Sequence, residues 1–171
     1  MGINCVFLDV DGVLNTEFTT DHCGRYIGIE DRFVENLRKI VDSADNVKIV
    51  LSSTWRLGYN RYGMSLENNR KYLDDKLAKQ GLEIFDVTED LSRHGEARGH
   101  EISKWLEDHK DLNIEHWVVL DDEFFYDFQY YGIIPHWVQT WFYSEKGGLN
   151  DAAVDEAIRV LRGEDIDADT E

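Results

Sequence analysis

Polar side chains follow three short apolar runs of this sequence, each at the point where the run ends. The runs are CVFL (5–8), VKIVL (47–51) and WVVL (117–120). The polar residues that follow them are Asp9 and Asp11, Ser52 and Ser53, and Asp121 and Asp122. If the runs are neighbouring parallel strands, their carboxyl ends meet at one edge of a sheet. We therefore expect four aspartates and two serines to converge there.

Carboxylates that converge in this way repel one another. Two of them about 4 Å apart repel by roughly 4 kcal/mol at an effective dielectric constant near 20, whereas a small domain is stable by only about 5–15 kcal/mol. A divalent cation removes this cost, and all-oxygen ligands favour a hard ion such as Mg²⁺. Because Mg²⁺ often binds phosphate oxygens alongside one or two carboxylates, these residues predict a phosphate-handling magnesium site.

The rest of the sequence predicts the elements that position these residues. Two further apolar runs, EIFDV (83–87) and WVQTWF (137–142), bring the number of predicted strands to five. Segments whose apolar residues recur with the helical period alternate with the strands. They lie at about 29–41, 66–80, 102–106 and 154–161, with Asn150 as the predicted N-cap of the last. This alternation indicates an α/β fold, a mainly parallel five-stranded sheet with helices on both faces.

Composition restricts the classes of function. The length of 171 residues predicts one domain over 1–163, followed by an acidic tail (164–171) that we expect to be disordered. The net charge of −17 argues against strong non-specific binding of nucleic acid. The sequence contains neither a membrane-spanning run nor a signal-peptide pattern, which predicts a cytoplasmic protein without a membrane partner. It makes no prediction of the oligomeric state.

Four motifs occur in a characteristic order along the chain. They are DVDGVLN (9–15), SSTWR (52–56), RGHEISKWL (98–106) and WVVLDD (117–122). This set resembles the motifs of the haloacid dehalogenase (HAD) superfamily, and is similar to the HAD domains associated with RNA-repair (Swiss-army-knife) proteins, over residues 4 to about 150. The resemblance implies a three-layer, Rossmann-like HAD fold. It also implies a Mg²⁺-dependent phosphatase that works through an aspartyl-phosphate.

Carried over residue by residue, the resemblance implies a catalytic set. Asp9 is the nucleophile that takes the phosphoryl group, and Asp11 is the general acid for the leaving oxygen and then the base for the hydrolytic water. Ser52 binds the phosphoryl oxygens, with Ser53 as the alternative if the register differs by one residue. Arg98, which opens the helix before the fourth motif, supplies the positive charge for which the family usually has lysine.

The same resemblance implies a ligand set for Mg²⁺. The ion is held by the side chains of Asp9 and Asp122 and by the backbone carbonyl of Asp11. Asp121 is adjacent to Asp122, and it either joins the ligands or lies behind them. Gly12 permits the sharp turn that follows the nucleophile.

Several neighbouring residues have two interpretations. The residues expected to line the substrate site are Gly12, Asn15, Ser53 and Arg56. Arg56 suits an ion pair with a carboxylate equally well, and we expect Trp55 to pack in the core rather than to stack on substrate. For the third motif, Arg98 could instead be an ordinary surface arginine, and Lys104 is the less favoured alternative.

The substrate is predicted only as a class. The stretches that follow Asp11 and Ser53 are too short for the large cap domain with which many HAD enzymes select substrates. An open site follows, and the resemblance associates such sites with nucleotides, nucleic-acid ends or other macromolecules; a small phosphometabolite competes with these. The aromatic segment 124–143 could form a wall for a flat substrate, although core packing or a dimer surface explains it better. A non-catalytic phosphate-binding module and phosphoryl transfer to an acceptor other than water stay open.

Overall fold

The computed structural model describes residues 1–57, 65, 68–91 and 97–164. Within these residues the chain forms seven strands and four α-helices. In chain order the strands are β1 (Ile3–Leu8), β2 (His22–Cys23), β3 (Tyr26–Ile27), β4 (Val47–Leu51), β5 (Ile84–Val87), β6 (Ile114–Asp121) and β7 (Trp137–Gln139). The helices are α1 (Asp31–Asp42), α2 (Asn69–Ala78), α3 (Arg98–Asp108) and α4 (Asp151–Leu161).

Five of the strands form one parallel sheet in the order β5-β4-β1-β6-β7. The central strand β1 is buried along its whole length, because helices cover both faces of the sheet. Its alternate residues enter two separate cores: Val6 packs with α1, α2 and α4, whereas Phe7 packs with α3. This layering explains why residues 5–8 of β1 form an unbroken apolar run. The predicted α/β, Rossmann-like fold is thus confirmed.

The boundaries of four strands differ from the prediction: β1 begins two residues earlier, at Ile3, β5 begins one residue later, at Ile84, and β6 and β7 differ most. β6 begins three residues before the predicted start at Trp117, because Ile114 pairs with Ile3 at the beginning of β1. β7 ends at Gln139 rather than at Phe142. It is an edge strand that pairs only with the last three residues of β6, so the chain can leave the sheet early.

The connection between β1 and α1 contains a feature that the sequence did not predict. β2 and β3 pair there as a small antiparallel hairpin, which turns through Gly24 at a φ of 61°. Strands of two residues are too short to show alternation in a sequence. The hairpin does not amount to a large cap domain, in agreement with the prediction.

Two predictions extend beyond the described residues. The predicted start of the second helix at residues 66 and 67 lies outside them, and α2 as described begins at Asn69. Residues 165–171 of the predicted tail lie outside them as well. Among the described helices, none has the length and apolar composition needed to cross a membrane.

Candidate active site

The carboxyl ends of β1, β4 and β6 lie side by side. The Ser52 amide donates to the carbonyl of Leu8 (2.9 Å), and the Asp9 amide donates to the carbonyl of Leu120 (3.0 Å). Residues that directly follow β4 and β1 are therefore fixed beside the ends of the neighbouring strands. The convergence expected from three separate motifs is present.

Three carboxylates form a cluster at this edge. Asp9, Asp121 and Asp122 each offer an oxygen atom, and these atoms lie within 4.8 Å of one another. Burial, followed by the negative charge of Asp9, raises the pKa of Asp122 to about 7 and also raises the pKa of Asp121. Because the cluster offers only hard oxygen donors and its carboxylates disfavour one another's ionised forms, it fits a divalent cation such as Mg²⁺.

The two carboxylates of the fourth motif differ in their contacts. Both oxygens of Asp121 accept hydrogen bonds, Oδ2 from Arg98 Nη1 (2.8 Å) and Oδ1 from the Glu123 amide (3.0 Å). Asp122 is partly exposed and packs against the turn at Gly12. Gly12 has a φ of 82°, and a Cβ atom there would collide with the Asp122 side chain. Glycine is required at this position for both reasons.

Arg98 is buried beside the cluster. Its Nη1 atom lies 3.7 Å from Asp9 Oδ1 as well as contacting Asp121, and its guanidinium lies 4.8 Å from the centre of the Phe125 ring. Burial lowers the pKa of Arg98, but the surrounding carboxylates, first Asp121 and then Asp9, outweigh burial and raise it overall. Arg98 is therefore not a surface arginine. Lys104 lies away from the cluster in ion pairs with Glu89 and Asp108.

The helix turn that carries Arg98 is capped by a distant carboxylate. Asp127 Oδ1 accepts from the Gly99 amide (3.0 Å) and Oδ2 from the His100 amide (2.9 Å). A carboxylate at a helix N-terminus satisfies free N–H groups and favours the helix dipole. Sequence reasoning missed Asp127, because it lies 28 and 27 residues beyond the two amides that it caps and no local pattern links them.

Asp11 is held from two sides. Asn15 Nδ2 donates to its Oδ1 (3.0 Å), and Trp55 Nε1 donates to its Oδ2 (3.1 Å). Asp11 is exposed, but its pKa is raised. Desolvation by the surrounding protein is the largest cause of the increase, and the negative charge of Asp9 adds to it, whereas the hydrogen bond from Asn15 lowers the pKa in part. Trp55 is buried, as predicted, but its bond to Asp11 across 44 residues was not predicted.

The Asn15 amide is used entirely within the protein. The residue is fully buried, and its Oδ1 accepts from the Gly12 amide (3.0 Å) while its Nδ2 also donates to the Gly28 carbonyl (2.9 Å). Its bonds therefore connect the turn after β1 with the chain that follows the β2–β3 hairpin. We predicted a substrate contact at Asn15; the geometry instead suits a residue that positions Asp11.

The two serines after β4 also differ in their bonding. Ser53 Oγ accepts from the Trp55 amide (3.2 Å) and caps the short 3₁₀ turn Thr54–Arg56. Ser52 Oγ is buried and has no hydrogen-bond partner among the described residues. A buried hydroxyl without a partner is costly. Ser52 can therefore form a hydrogen bond to another group through its free hydroxyl. The hydroxyl of Ser53 already accepts one bond within the protein.

Arg56 has the ion pair that was one of its two predicted interpretations. Its Nη2 atom contacts Glu101, and its Nη1 donates to the carbonyls of Ser52 (3.2 Å) and Ser53 (2.7 Å). Burial lowers the pKa of Arg56, and the negative charge of Glu101 offsets part of this decrease. Glu101 lies 45 residues away and was not singled out in the sequence.

The aromatic segment 124–143 divides between core and surface. Phe128 is completely buried, whereas Trp141 and Tyr143 expose 56% and 81% of their surface. The loop that holds these two rings pairs with the loop after β1, since the Glu17 amide donates to the Phe142 carbonyl (3.0 Å). Phe18, on that second loop, is also half exposed. Exposed aromatic rings are therefore present on two loops that leave the carboxyl edge of the sheet.

Comparisons with known proteins identify the family. A comparison with curated proteins gave no match. A comparison with family models matched residues 5–154 to the family described as HAD domain in Swiss Army Knife RNA repair proteins. The matched span contains the carboxyl ends of all five parallel strands and every site residue described above. The resemblance seen in the four motifs is therefore confirmed, and the chain belongs to the family of HAD domains in Swiss Army Knife RNA repair proteins.

Proposed function

We propose that this chain is a Mg²⁺-dependent phosphatase that hydrolyses phosphate monoesters through an aspartyl-phosphate on Asp9. Membership of a HAD family supports the general class, a HAD-type phosphohydrolase. The observation that carries the finer proposal is the cluster of Asp9, Asp121 and Asp122, with oxygen atoms within 4.8 Å of one another. Such a cluster needs positive charge, and a phosphoryl group needs the same charge in order to approach a carboxylate.

The ligands that we propose for the ion are those that the family resemblance implies. Asp9, Asp122 and the backbone carbonyl of Asp11 would hold Mg²⁺, which would supply positive charge to the phosphoryl oxygens. Asp121 is the weaker candidate for a direct ligand, because Arg98 and the Glu123 amide already occupy its two oxygens.

The reaction then proceeds in two displacements. A carboxylate oxygen of Asp9 attacks phosphorus, the bond to the leaving oxygen breaks, and Asp11 gives that oxygen a proton. In the second displacement Asp11 takes a proton from water, whose oxygen attacks phosphorus and releases phosphate from Asp9. The raised pKa of Asp11 suits a group that must carry this proton.

The remaining residues bind or position the reacting groups. Ser52 donates its free hydroxyl to a phosphoryl oxygen, and Arg98 places a permanent positive charge beside Asp9. Asn15 and Trp55 hold the two oxygens of Asp11. Asp127 stabilises the helix end that presents Arg98. These three therefore act through other residues rather than on the substrate.

For the substrate class we propose nucleotides or phosphorylated nucleic-acid ends. The connection between β1 and α1 holds only a small hairpin, which supports an open site. Exposed rings of Phe18, Trp141 and Tyr143 on the adjoining loops offer stacking surfaces for bases. Small phosphometabolites remain the competing class, and the cytoplasm is the compartment that we expect.

A non-catalytic phosphate-binding module is the second candidate. It is favoured by the Arg98–Asp121 ion pair, because that pair already offsets one carboxylate without a metal. It leaves unexplained why both oxygens of Asp11 are held in place beside Asp9. A protein that only binds phosphate has no need of this second carboxylate.

Hydrolysis of p-nitrophenyl phosphate, with and without Mg²⁺, tests the proposal. We expect Mg²⁺-dependent turnover in the wild type, and its loss in Asp9→Asn and Asp11→Asn. The control is Asp155→Asn, an exposed acid on α4. Turnover that needs no divalent cation, or an Asp9→Asn variant with full activity, would contradict the assignment. A panel of nucleotides, phosphorylated oligonucleotides and sugar phosphates then decides between the substrate classes.

A further inference from the structure

A cavity of about 450 Å³ lies between the β2–β3 hairpin and the start of α2. The described residues that line it include Cys23, Arg25, Tyr26, Asn68 and Asn69. Its volume falls within the usual range of small-molecule sites. It contains none of the residues assigned to the acidic cluster, so its role is separate from that of the proposed catalytic groups.

Asn69 lines this cavity and has an unused hydrogen-bond donor. The residue is only 3% exposed, and its Oδ1 lies 3.7 Å from Cys23 Sγ, which donates to it. Its Nδ2 is buried and has no hydrogen-bond partner in the described part of the chain. Buried amide N–H groups are nearly always paired in native structures. A ligand with an acceptor atom would complete the bonding of Asn69.

The charges around the cavity favour an anion. α2 begins at Asn69, its first turn has no acidic residue, and Asn68 at the N-cap forms no side-chain capping bond. Free N–H groups and the helix dipole attract negative charge at such an end. Arg25 is exposed and forms no ion pair with the described residues. No carboxylate is among the described lining residues, although the chain has 35 acidic residues.

The cavity lies on the same edge of the sheet as the acidic cluster. Its two walls belong to connections that leave the carboxyl ends of β1 and β4, which are neighbours in the sheet. Tyr72 of α2 accepts a hydrogen bond from the Ile29 amide through its hydroxyl (3.0 Å). The preceding residue, Gly28, accepts from Asn15, which also binds Asp11. A short chain of bonds therefore connects the cavity wall to the proposed general acid.

We propose that this cavity binds a second phosphate group of the substrate, one that is not hydrolysed. Arg25, the Asn69 amide and the first N–H groups of α2 are its donors, and the remaining volume holds the nucleoside to which that phosphate is attached. This inference rests on the proposed function and narrows it to substrates that carry two phosphates. A nucleoside bisphosphate and the phosphorylated end of a strand share this chemistry.

Calorimetric titration in the presence of Mg²⁺ tests the inference. The protein is Asp9→Asn, in which hydrolysis is blocked, and the probes are adenosine 3′,5′-bisphosphate and adenosine 5′-monophosphate. We expect the bisphosphate to bind about tenfold more tightly or better, because charge-assisted hydrogen bonds carry the difference. When Arg25→Gln is added to the Asp9→Asn protein, we expect the preference for the bisphosphate to disappear. Adding Arg159→Gln, which changes an exposed arginine on α4, preserves it.

The outcomes separate the inference from the proposed function. Equal binding of the two probes, or a preference that survives Arg25→Gln, overturns the second-phosphate site even if the protein is an active phosphatase. An Arg25-dependent preference in a protein without phosphatase activity supports the cavity and refutes the enzyme. A 5′-phosphorylated trinucleotide that binds more tightly than the bisphosphate identifies a strand end as the source of the phosphate. Asn69→Leu gives a second variant, whose folding is checked by circular dichroism.

Discussion

The acidic cluster and the cavity beside α2 are two polar regions on one edge of the same sheet, and they have opposite electrostatic character. In the cluster, three carboxylates lie so close that burial and mutual repulsion raise the pKa values of Asp121 and Asp122. The cavity is lined by an arginine, by Asn69, whose Nδ2 has no partner, and by a helix N-terminus, with no carboxylate among its described lining residues. The first region therefore suits a cation, whereas the second has donors that suit an anion.

This contrast explains how a protein with a net charge of −17 can handle phosphate. Long-range repulsion disfavours an extended polyanion. Within a few ångströms, however, fixed donors and the cation that we propose would decide the interaction, because salt and water screen the more distant charges. A substrate that is short, or that presents only its end, satisfies both conditions.

The largest expected effect comes from a substitution in the acidic cluster. Asp9→Asn removes the nucleophile, so we expect kcat to fall by about a thousandfold or more. Steady-state hydrolysis of p-nitrophenyl phosphate measures it. Asp155→Asn, with the same change of charge on an exposed helix face, should retain wild-type turnover.

Arg98→Gln tests whether the stability of the protein depends on the positive charge of Arg98 beside the acidic cluster. Removing one member of a buried ion pair leaves Asp121 without its cation, and we expect the free energy of unfolding to fall by about 3–5 kcal/mol in metal-free buffer. Urea unfolding monitored by tryptophan fluorescence gives the value. Arg98→Lys should lose less. A change below about 1 kcal/mol would mean that Asp121 is stabilised by other groups.

The pH dependence of stability tests the raised pKa of Asp122. The pKa of this carboxyl is about 7 in the folded state and near 3.8 in the unfolded state, so the folded state favours the protonated form. Its contribution to stability is complete below pH 3.8 and is lost as the pH rises from there through about 7. Without metal we expect the free energy of unfolding to fall by up to about 3 kcal/mol between about pH 5 and pH 7. Mg²⁺ should suppress the loss, because it favours the ionised form.

Thermal unfolding from pH 5 to 8, with and without Mg²⁺, measures this dependence. Asp122→Asn should make the metal-free curve less steep, since the residue can no longer ionise, while Asp121 and Asp11, whose pKa values are also raised, keep part of the slope. Burial lowers the pKa of His136 and so adds stability as the pH rises. The difference between the two proteins is therefore the measurement, and equal slopes between about pH 5 and 7 without metal would contradict the raised pKa of Asp122.

Trp55→Phe makes a smaller change, to the positioning of Asp11. It removes the Nε1 donor to Asp11, and we expect kcat to fall about three- to tenfold and the free energy of unfolding to fall by about 1 kcal/mol. The matched control is Trp105→Phe, which removes a similar bond from Trp105 Nε1 to Asp86 (2.8 Å). Trp105 packs on the opposite face of the sheet. If both variants lose kcat equally, Trp55 acts only through packing.

Asn69→Leu should change stability by no more than Trp55→Phe, but in the opposite direction, and it tests the cavity rather than the acidic cluster. Leucine has a similar size and no unpaired N–H group, so we expect the free energy of unfolding to rise by up to about 1 kcal/mol. The same substitution should abolish the preference for the bisphosphate. A loss of more than about 2 kcal/mol would show that the amide is already satisfied in the folded protein.

Much of the fold was predictable because it is encoded in local patterns. The five strands are short apolar runs bounded by polar residues, and a parallel sheet covered on both faces demands such runs. Asn150 was recognised as an N-cap from its position before a periodic segment, and its side chain accepts from the Ala153 amide (2.9 Å). The acids at the ends of β1 and β6 were placed together by the geometry of parallel strands alone.

The tertiary structure decided which distant side chains meet. Glu101 pairs with Arg56, Asp127 caps α3, and Trp55 holds Asp11, across 45, 28 and 44 residues. The two-residue strands of the hairpin and the unpaired amide of Asn69 likewise become visible only in three dimensions. Periodicity reports whether a residue is buried, because burial repeats with the backbone. The partner of a buried polar group depends on how separate elements pack, and that information is not local in the chain.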